Sequence, residues 1–319
     1  MAYADPAVQP IPWDVSPDFK GNAARCEAEE KQSHCQISGV ACAGGGQAWC
    51  LAVNDEKNYA QLFSVTGRRL IPGKRIRLLE KDDWDEADAE GVAVGEGYIY
   101  IAGSHGLSRK KRKLEPSRFF VYRLPVDPDN GAPRFDVSGK SIAPEIERSD
   151  RLGALVRGMT SYRGGSENSL LDDGANFEGI GVMDGRLYAG FRAPVDARGT
   201  AVLEVSLSGL FDGQPMDATL HRLPLGAGHG IRGMARFGDG FLLLTGAAER
   251  GHLVPSIWFW RPGEAARQLD KLDIPAGWKA EAVMPLPSDA GDRVRVLVLF
   301  DGQANGAPME FAIRRPGAG

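Results

Sequence analysis

The chain has 319 residues, 43% of them apolar, and a formal net charge of −4 at pH 7. This length and apolar content are sufficient for one large buried core. The slight negative charge provides no bulk attraction to nucleic acid or to an anionic membrane, and the longest apolar runs are too short to cross a bilayer as a helix. We therefore expect a soluble, monomeric protein that neither binds nucleic acid nor spans a membrane.

The four cysteines all lie in the first fifty residues, at Cys26, Cys35, Cys42 and Cys50. Their spacing does not match the paired Cys-x-x-Cys ligands of structural zinc sites. An even, clustered set favours two short-range disulfides, Cys26–Cys35 and Cys42–Cys50, and reduced, half-buried thiols are the alternative. Residues 2–4, Ala-Tyr-Ala, are similar to the small-residue site that signal peptidase cuts. We therefore expect a periplasmic or secreted protein, with the cytoplasm as the alternative.

One motif recurs along the chain: an apolar strand with a central glycine, a two-residue turn and a second apolar strand. In the clearest copy, residues 176–182 precede Asp184-Gly185, and residues 186–192 follow. Asp-Gly tolerates the positive φ angles of a tight type I′ hairpin. The five copies align on Gly39, Gly91, Gly179, Gly233 and Ala282. They lie about fifty residues apart, except for a longer interval between the second and third copies.

All-β repeats of this length are typical of propeller blades, each a four-stranded sheet around a central channel. A third apolar strand follows the hairpin in each copy, at 59–65, 119–123, 201–207, 256–260 and 309–313. The last copy ends after its third strand, so a strand within residues 8–15 should complete that blade and close the ring. We predict an all-β fold: a single β-propeller domain over residues 1–319, with five four-stranded blades or, alternatively, six.

The long interval contains extra chain between Val126 and Asp173. Residues 133–137 are expected to form the fourth strand of the second blade, and residues 144–159 carry apolar side chains at helical spacing. We interpret the stretch at about 126–173 as an inserted loop with a short helix rather than as a degenerate sixth blade.

The first strand of each propeller blade lines the channel. The position before the aligned residue is Ser38, Glu90, Glu178, Arg232 and Glu281 in the five copies, and Asp88 and Asn176 lie two residues earlier in theirs. Carboxylates gathered on one axis need a compensating positive charge. One interpretation is a Ca²⁺ or Mg²⁺ ion bound by Glu90, Glu178, Glu281 and Asp88. The alternative is a structural polar plug in which Arg232 neutralises the acids.

Other polar residues near the strand ends are candidates for binding and catalysis. Arg118 and Arg192 can each hold an anionic group through two hydrogen bonds, and with Arg232 and Asn176 they form the predicted binding site for a small anionic ligand. His105 follows the second strand of its copy and is the candidate general base, with a local hydrogen-bonding role as the alternative.

Several segments resemble the bacterial DUF3616 family. They are residues 35–58, Glu90-Gly91, 103–106, 116–118, 176–179 and 190–194. The resemblance implies a β-propeller and no particular activity. A more distant likeness, to phytase-like esterase and lactonase propellers, implies that a Glu-Gly pair at the channel mouth contributes a metal-binding carboxylate. Ser38 and Arg232 depart from that pattern, since they stand where such a ring would have acids.

Two functions therefore remain open. In the first, the propeller binds a small ligand or a partner at the polar mouth of its channel. In the second, it is a metal-dependent hydrolase of a phosphoester, ester or lactone, with Glu90, Glu178 and His105 as catalytic residues. Direct pairing of Arg232 with the glutamates favours the first function, and an ion held by three or more of the oxygens favours the second.

Overall fold

The computed structural model describes residues 8–19, 36–43, 49–80, 86–108, 112–161, 168–169, 171–249, 251–288 and 291–317. Within them, five β-sheets form a ring, which is the predicted five-bladed β-propeller, and each sheet contains four antiparallel strands. Each innermost strand contacts the innermost strands of both neighbouring blades, and the last blade contacts the first. The ring is therefore closed.

The blades are numbered here in chain order, and their strands are given from the channel outward. Blade 1 contains Ile37–Cys42, Cys50–Asn54, Tyr59–Thr66 and Arg69–Arg77. Blade 2 contains Ala89–Gly95, Tyr98–Gly103, Val121–Pro125 and Glu147–Ser149. Blade 3 contains Asn176–Met183, Arg186–Ala193, Thr200–Ser206 and Ala218–Leu223. Blade 4 contains His229–Phe237, Gly240–Ala247, Ser256–Trp260 and Arg267–Lys271. Blade 5 contains Lys279–Pro285, Arg293–Asp301, Met309–Arg314 and Ile11–Pro12.

The remaining elements are short. They are the α-helices Arg151–Gly158 and Leu207–Phe211, the 3₁₀ turns Pro116–Phe119 and Ala304–Gly306, the strand pair Thr160–Ser161 and Asn168–Ser169, and the strand Asp14–Val15. No helix in the described ranges is long and apolar enough to cross a membrane.

The fourth strand of blade 2 is not where the sequence pattern predicted it. Residues 133–137 form no strand, and Pro133 makes only an isolated bridge to Val126, because proline has no N–H to donate to a ladder. The edge strand is Glu147–Ser149 instead, where Glu147 accepts two 2.9 Å hydrogen bonds from Arg123 on the neighbouring strand. The helix Arg151–Gly158 follows directly, inside the stretch where a short helix was expected.

The N-terminal segment closes the ring as predicted. Ile11–Pro12 pairs with the third strand of blade 5 and becomes its fourth strand. The same segment also reaches both neighbouring blades, since Val8 bridges Leu272 of blade 4 and Asp14–Val15 pairs with the outer strand of blade 1. This one stretch therefore ties three blades together.

Glu310 of blade 5 anchors this closure. Its carboxylate accepts hydrogen bonds from the Trp13 indole at 2.9 Å and from Arg295 at 2.7 and 3.0 Å. Arg68 of blade 1 lies 3.4 Å away. The hydrogen bonds from Arg295 outweigh the effect of burial and lower the pKa of Glu310 to about 2.

We expect Glu310→Gln to lower the free energy of unfolding by about 2–3 kcal/mol at pH 7, because charge-assisted hydrogen bonds are lost. The pKa of about 2 lies below the ordinary value of 4.5, so this contribution is present above pH 4.5 and disappears as the pH falls toward 2. Urea unfolding of the native protein and the variant across this range measures it. A stability difference that stays constant down to pH 2 would contradict the role of the ionised carboxylate.

Cys42 and Cys50 form a disulfide between facing residues of the first hairpin of blade 1, which confirms that pairing. The other predicted pair, Cys26–Cys35, lies outside the described residues. A disulfide is compatible with an oxidising compartment. The periplasmic or secreted location stays a prediction.

Candidate functional site

A β-bulge at the same position of every inner strand defines the channel lining. In each blade the pairing register between first and second strands shifts at the residue before the aligned position, at Ser38, Glu90, Glu178, Arg232 and Glu281. Blade 3 has a second shift, between Asn176 and Phe177. A bulge bends its strand and redirects a side chain. All five residues are buried, and four of them line a central cavity of only about 10 Å³. That volume is about enough for one water molecule.

The glycines that follow these residues allow the inner strands to approach closely. A Cβ added to Gly91 would lie 3.0 Å from the backbone nitrogen of Ile180. At Gly179 it would lie 2.6 Å from the backbone nitrogen of Met234. Real Cβ atoms essentially never lie closer than 3.0 Å to such an atom, so glycine is required at position 179 for blades 3 and 4 to pack in this way. The contact at Gly91 lies at that limit, so a Cβ there would need the neighbouring strand to shift by a few tenths of an ångström.

Arg232 is paired directly with two of the predicted metal ligands. Its Nη1 lies 2.8 Å from Glu178 Oε2, and its Nη2 pairs with Glu281 Oε1. Arg192 reaches the other oxygen of Glu178 with its Nη1 at 2.5 Å. We call these four residues the channel ion cluster. Burial lowers the pKa of Arg232 even though Glu178 opposes the effect. At Arg192 burial acts in the same direction, but Glu178, with help from Glu90 and Asp301, outweighs it and raises the pKa.

Glu90 and Asp88 belong to a different group. Carboxylate oxygens of Asp55, Asp88 and Glu90 all lie within 4.8 Å of one another. We call these three residues the acidic cluster. The structure thus divides the predicted set of metal ligands, with Glu178 and Glu281 in the channel ion cluster and Asp88 and Glu90 here. Asp55 was not among the predicted ligands, although its place directly after the second strand of blade 1 is a signal for it.

Arg118 lies beside the acidic cluster, and each nitrogen of its guanidinium has a carboxylate partner. The distances are 2.8 Å to Asp88, 3.1 Å to Glu86 and 2.7 Å to Glu115. Burial lowers the pKa of Arg118, but the three acids outweigh it and the net direction is upward. Three of the five N–H donors of the guanidinium are therefore engaged by carboxylates, and the role of Arg118 in ligand binding stays a prediction.

His105 lies behind the channel wall in an apolar environment. Its ring packs against Phe119 and Phe177 at centroid distances of 5.7 and 5.2 Å. Burial lowers the pKa of His105 to about 4, so the ring is neutral at pH 7. Nδ1 must carry the proton, because its partner at 2.8 Å is the carbonyl oxygen of Gly103. The catalytic role of His105 stays a prediction, and the function proposed below does not use it.

We expect the burial of His105 to make stability depend on pH. The pKa of about 4 lies below the ordinary 6.5, so the unfolded chain takes up a proton first as the pH falls from 6.5 to 4. The native protein should lose up to about 3 kcal/mol over this window. His105→Asn removes the titration and tolerates the positive φ at this position. If the free energy of unfolding of the native protein and that of His105→Asn change with pH in the same way, another group causes the pH dependence.

A cleft of about 480 Å³ opens at the channel mouth between blades 3, 4 and 5. We call it the mouth cleft, and its described lining includes Arg192, Arg232, Glu249, Trp278, Lys279, Glu281, Asp301, residues 251–253 and Pro255. Of the four predicted ligand-binding residues, Arg192 and Arg232 line it. Asn176 and Arg118 do not, and Asn176 Oδ1 has no hydrogen-bond partner in the described ranges. The sequence prediction missed Lys279 and Trp278, although Lys279 occupies the blade 5 position equivalent to Asp88 and Asn176.

The ring of five four-stranded blades defines this protein as a β-propeller with a polar channel mouth. The family model DUF3616, described as a protein of unknown function, matches residues 51–124 and 168–308. The match covers more than half of the chain, so the chain belongs to the DUF3616 family. The resemblance found in the sequence is thereby confirmed.

Several solved structures are similar to the chain at low identity. A hypothetical protein from Leishmania major is 11% identical, with 99% of this chain and 93% of that chain covered and a TM-score of 0.49. The tail fiber of Staphylococcus aureus phage P68 is 12% identical, with 97% and 53% covered and a TM-score of 0.43. The chain thus spans about half the length of that fiber. No curated protein matches the chain.

Proposed function

We propose that the mouth cleft binds a small anionic ligand, with Arg192 as its main contact. The observation that carries this proposal is the hydrogen bonding of the Arg192 guanidinium, which has partners for two of its three nitrogens in the described part of the chain. Nη1 is bound to Glu178 and Nε donates to the carbonyl oxygen of Ala248 at 3.1 Å. Nη2 has no hydrogen bond or ion pair in the described part of the chain, and the side chain is 24% exposed.

The fixed geometry of Arg192 favours binding. A free arginine side chain loses rotamer freedom when it binds a ligand. Glu178 and the Ala248 carbonyl already hold this one in place, so less freedom remains to be lost. Guanidinium groups prefer carboxylate and phosphate partners, because their N–H fork matches the geometry of these anions.

Trp278 adds an apolar surface to the cleft. Its ring packs edge-on against Phe300 at a centroid distance of 5.1 Å and is partly exposed. The indole N–H makes no hydrogen bond to any described residue, so it is a second donor available to a ligand. The cleft volume of about 480 Å³ lies in the usual range for small-molecule sites. A ligand with an anionic group and a flat or apolar part fits this combination.

Lys279 gives the rim a second positive charge. Its ammonium lies 3.2 Å from Asp301, and 65% of the side chain is exposed. Exposed ion pairs contribute little to stability. The lysine can therefore turn from Asp301 toward a bound anion at small cost.

A thermal-shift screen with small carboxylates and phosphate esters tests the proposal. We expect at least one compound to raise the melting temperature of the native protein, with an affinity that Arg192→Gln lowers by about tenfold or more. Arg192→Lys keeps the charge beside Glu178 but loses the fork, so it should weaken binding to a smaller degree. Arg267→Gln removes an exposed charge on the outer strand of blade 4 and serves as the matched control. Equal affinity in the native protein and Arg192→Gln would contradict the proposal.

The acidic cluster favours a second candidate function, a Ca²⁺- or Mg²⁺-dependent hydrolase of a phosphoester, ester or lactone. Asp55, Asp88 and Glu90 bring carboxylate oxygens within 4.8 Å of one another, and such oxygens suit a hard cation. A bound ion would polarise the substrate oxygen. In this second candidate function, Glu90 and Asp88 are the two sequence-predicted metal ligands that belong to the acidic cluster.

Melting temperatures with Ca²⁺, Mg²⁺ or chelator test this second candidate. If the acidic cluster holds a cation, the ion should stabilise the native protein and Glu178→Gln, but not Glu90→Gln. A panel of phosphoesters and lactones then tests for hydrolysis. Melting temperatures that do not respond to either cation would exclude the metal site.

A further inference from the structure

The opposite end of the channel contains a separate apolar cavity. Its volume is about 140 Å³, and every inner strand contributes to its wall beyond the bulge. The side chains on the wall include Val40, Val92, Ile180, Val182, Val283 and Met284. We call this cavity the channel well. The packed centre of the channel, with room for about one water molecule, lies between the channel well and the polar mouth.

Among the described residues that line the channel well, one carries a charge. Arg236, near the end of the inner strand of blade 4, is exposed and lines the cavity. It makes no ion pair or hydrogen bond with any described residue. In this respect it differs from Arg192, Arg232 and Arg118, which all pair with carboxylates.

We propose that the channel well binds a small monocarboxylate with an apolar body, such as a benzoate-sized or branched short-chain acid. The size follows from the cavity, because an apolar cavity of about 150 Å³ holds a benzene ring. The anionic group follows from Arg236, the cation that lines the cavity. Burial of a ring or branched chain among valines is favourable in proportion to the apolar surface removed from water. Pairing with a guanidinium at the rim leaves the carboxylate partly solvated, so its desolvation cost is small.

This site is independent of the proposed function. The mouth cleft lies at the other end of the channel and depends on Arg192 and Trp278. A ligand in the channel well touches neither residue. The two sites can therefore be tested separately with one set of variants.

The experiment is a ¹⁹F NMR titration with 4-fluorobenzoate and, as the uncharged counterpart, fluorobenzene. We expect 4-fluorobenzoate to bind the native protein with a Kd of about 1 mM or lower. Arg236→Gln should weaken 4-fluorobenzoate at least about fivefold and leave fluorobenzene unchanged. Ala235→Leu fills part of the cavity at a partly exposed position, so it should abolish binding of both probes.

Control variants locate the probe. Arg267→Gln, which removes an exposed charge from the same blade far from the channel, should leave binding unchanged. Arg192→Gln should also have no effect, and loss of binding in this variant would place the probe in the mouth cleft and overturn the assignment. If both probes bind equally well and Arg236→Gln has no effect, the channel well binds apolar molecules without recognising a carboxylate. This result would overturn the proposed ligand class. Absence of binding at roughly 10 mM probe would overturn the proposal altogether.

Discussion

Replacing Arg232 with alanine is expected to lower the free energy of unfolding by about 3–5 kcal/mol. Arg232 lies between Glu178 and Glu281, and all three residues are buried. Without the guanidinium, Glu281 loses its ion-pair partner in the described part of the chain, and of the two described partners of Glu178 only Arg192 remains. Removing one member of a buried ion pair costs more than the pair contributes, because the remaining charge is left without compensation. Urea unfolding gives the difference from the shift in midpoint at constant slope.

Two comparisons make this result specific. Arg198→Ala breaks an exposed pair with Asp196 and should cost less than about 1 kcal/mol. Glu281→Gln in the Arg232→Ala background removes the stranded charge and should recover part of the loss, which a double-mutant cycle measures. A loss below about 1 kcal/mol for Arg232→Ala would mean that the channel ion cluster is hydrated. If a chelator changes the stability of Arg232→Ala, a cation is bound in the channel instead.

The second large effect is expected at Gly179. A Cβ there would lie 2.6 Å from the backbone nitrogen of Met234 and 2.8 Å from the carbonyl carbon of Gly233. Both are backbone atoms of the next inner strand, so they cannot move aside as a flexible side chain would. Gly179→Ala should therefore cost at least about 2 kcal/mol, and Gly179→Val more. Thermal unfolding should show a melting temperature several degrees lower.

Gly158→Ala is the matched control. Gly158 ends the helix Arg151–Gly158, and an added Cβ would meet no heavy atom within 4 Å. Since alanine favours helix over glycine, this variant should be as stable as the native protein or slightly more stable. A Gly179→Ala protein that melts like the native one would contradict the close contact between blades 3 and 4.

The sequence predicted the blades because the signals for them are local. Each inner hairpin carries alternating apolar residues and a turn such as Asp184-Gly185. The spacing between the copies then predicts the number of blades. The N-terminal closure followed from a missing fourth strand in the last copy. Glu147–Ser149 was not predictable in this way, because a three-residue edge strand is too short to show alternation. It pairs with the third strand of blade 2 along three residues, and Glu147 contacts Arg123 there.

The sequence also predicted which residues line the channel, because the repeat aligns them at one position of each blade. It left open how their charges pair. That depends on the directions of long side chains from different blades, and Arg232 joins Glu178 of blade 3 to Glu281 of blade 5. The partners of Arg118 were not predictable from the sequence, because the carboxylates of Glu86 and Glu115 come to it from loops whose path no periodicity encodes.

Hydrogen–deuterium exchange with and without a ligand found in the thermal-shift screen tests the proposed ligand site most directly. The structure predicts that peptides containing Arg192, His252 and Lys279–Glu281 become protected when the ligand binds, because these residues line the mouth cleft. In Arg192→Gln the same peptides should show little protection at the same ligand concentration. Protection confined to peptides of the acidic cluster or the channel well, with none around Arg192, would contradict binding in the mouth cleft.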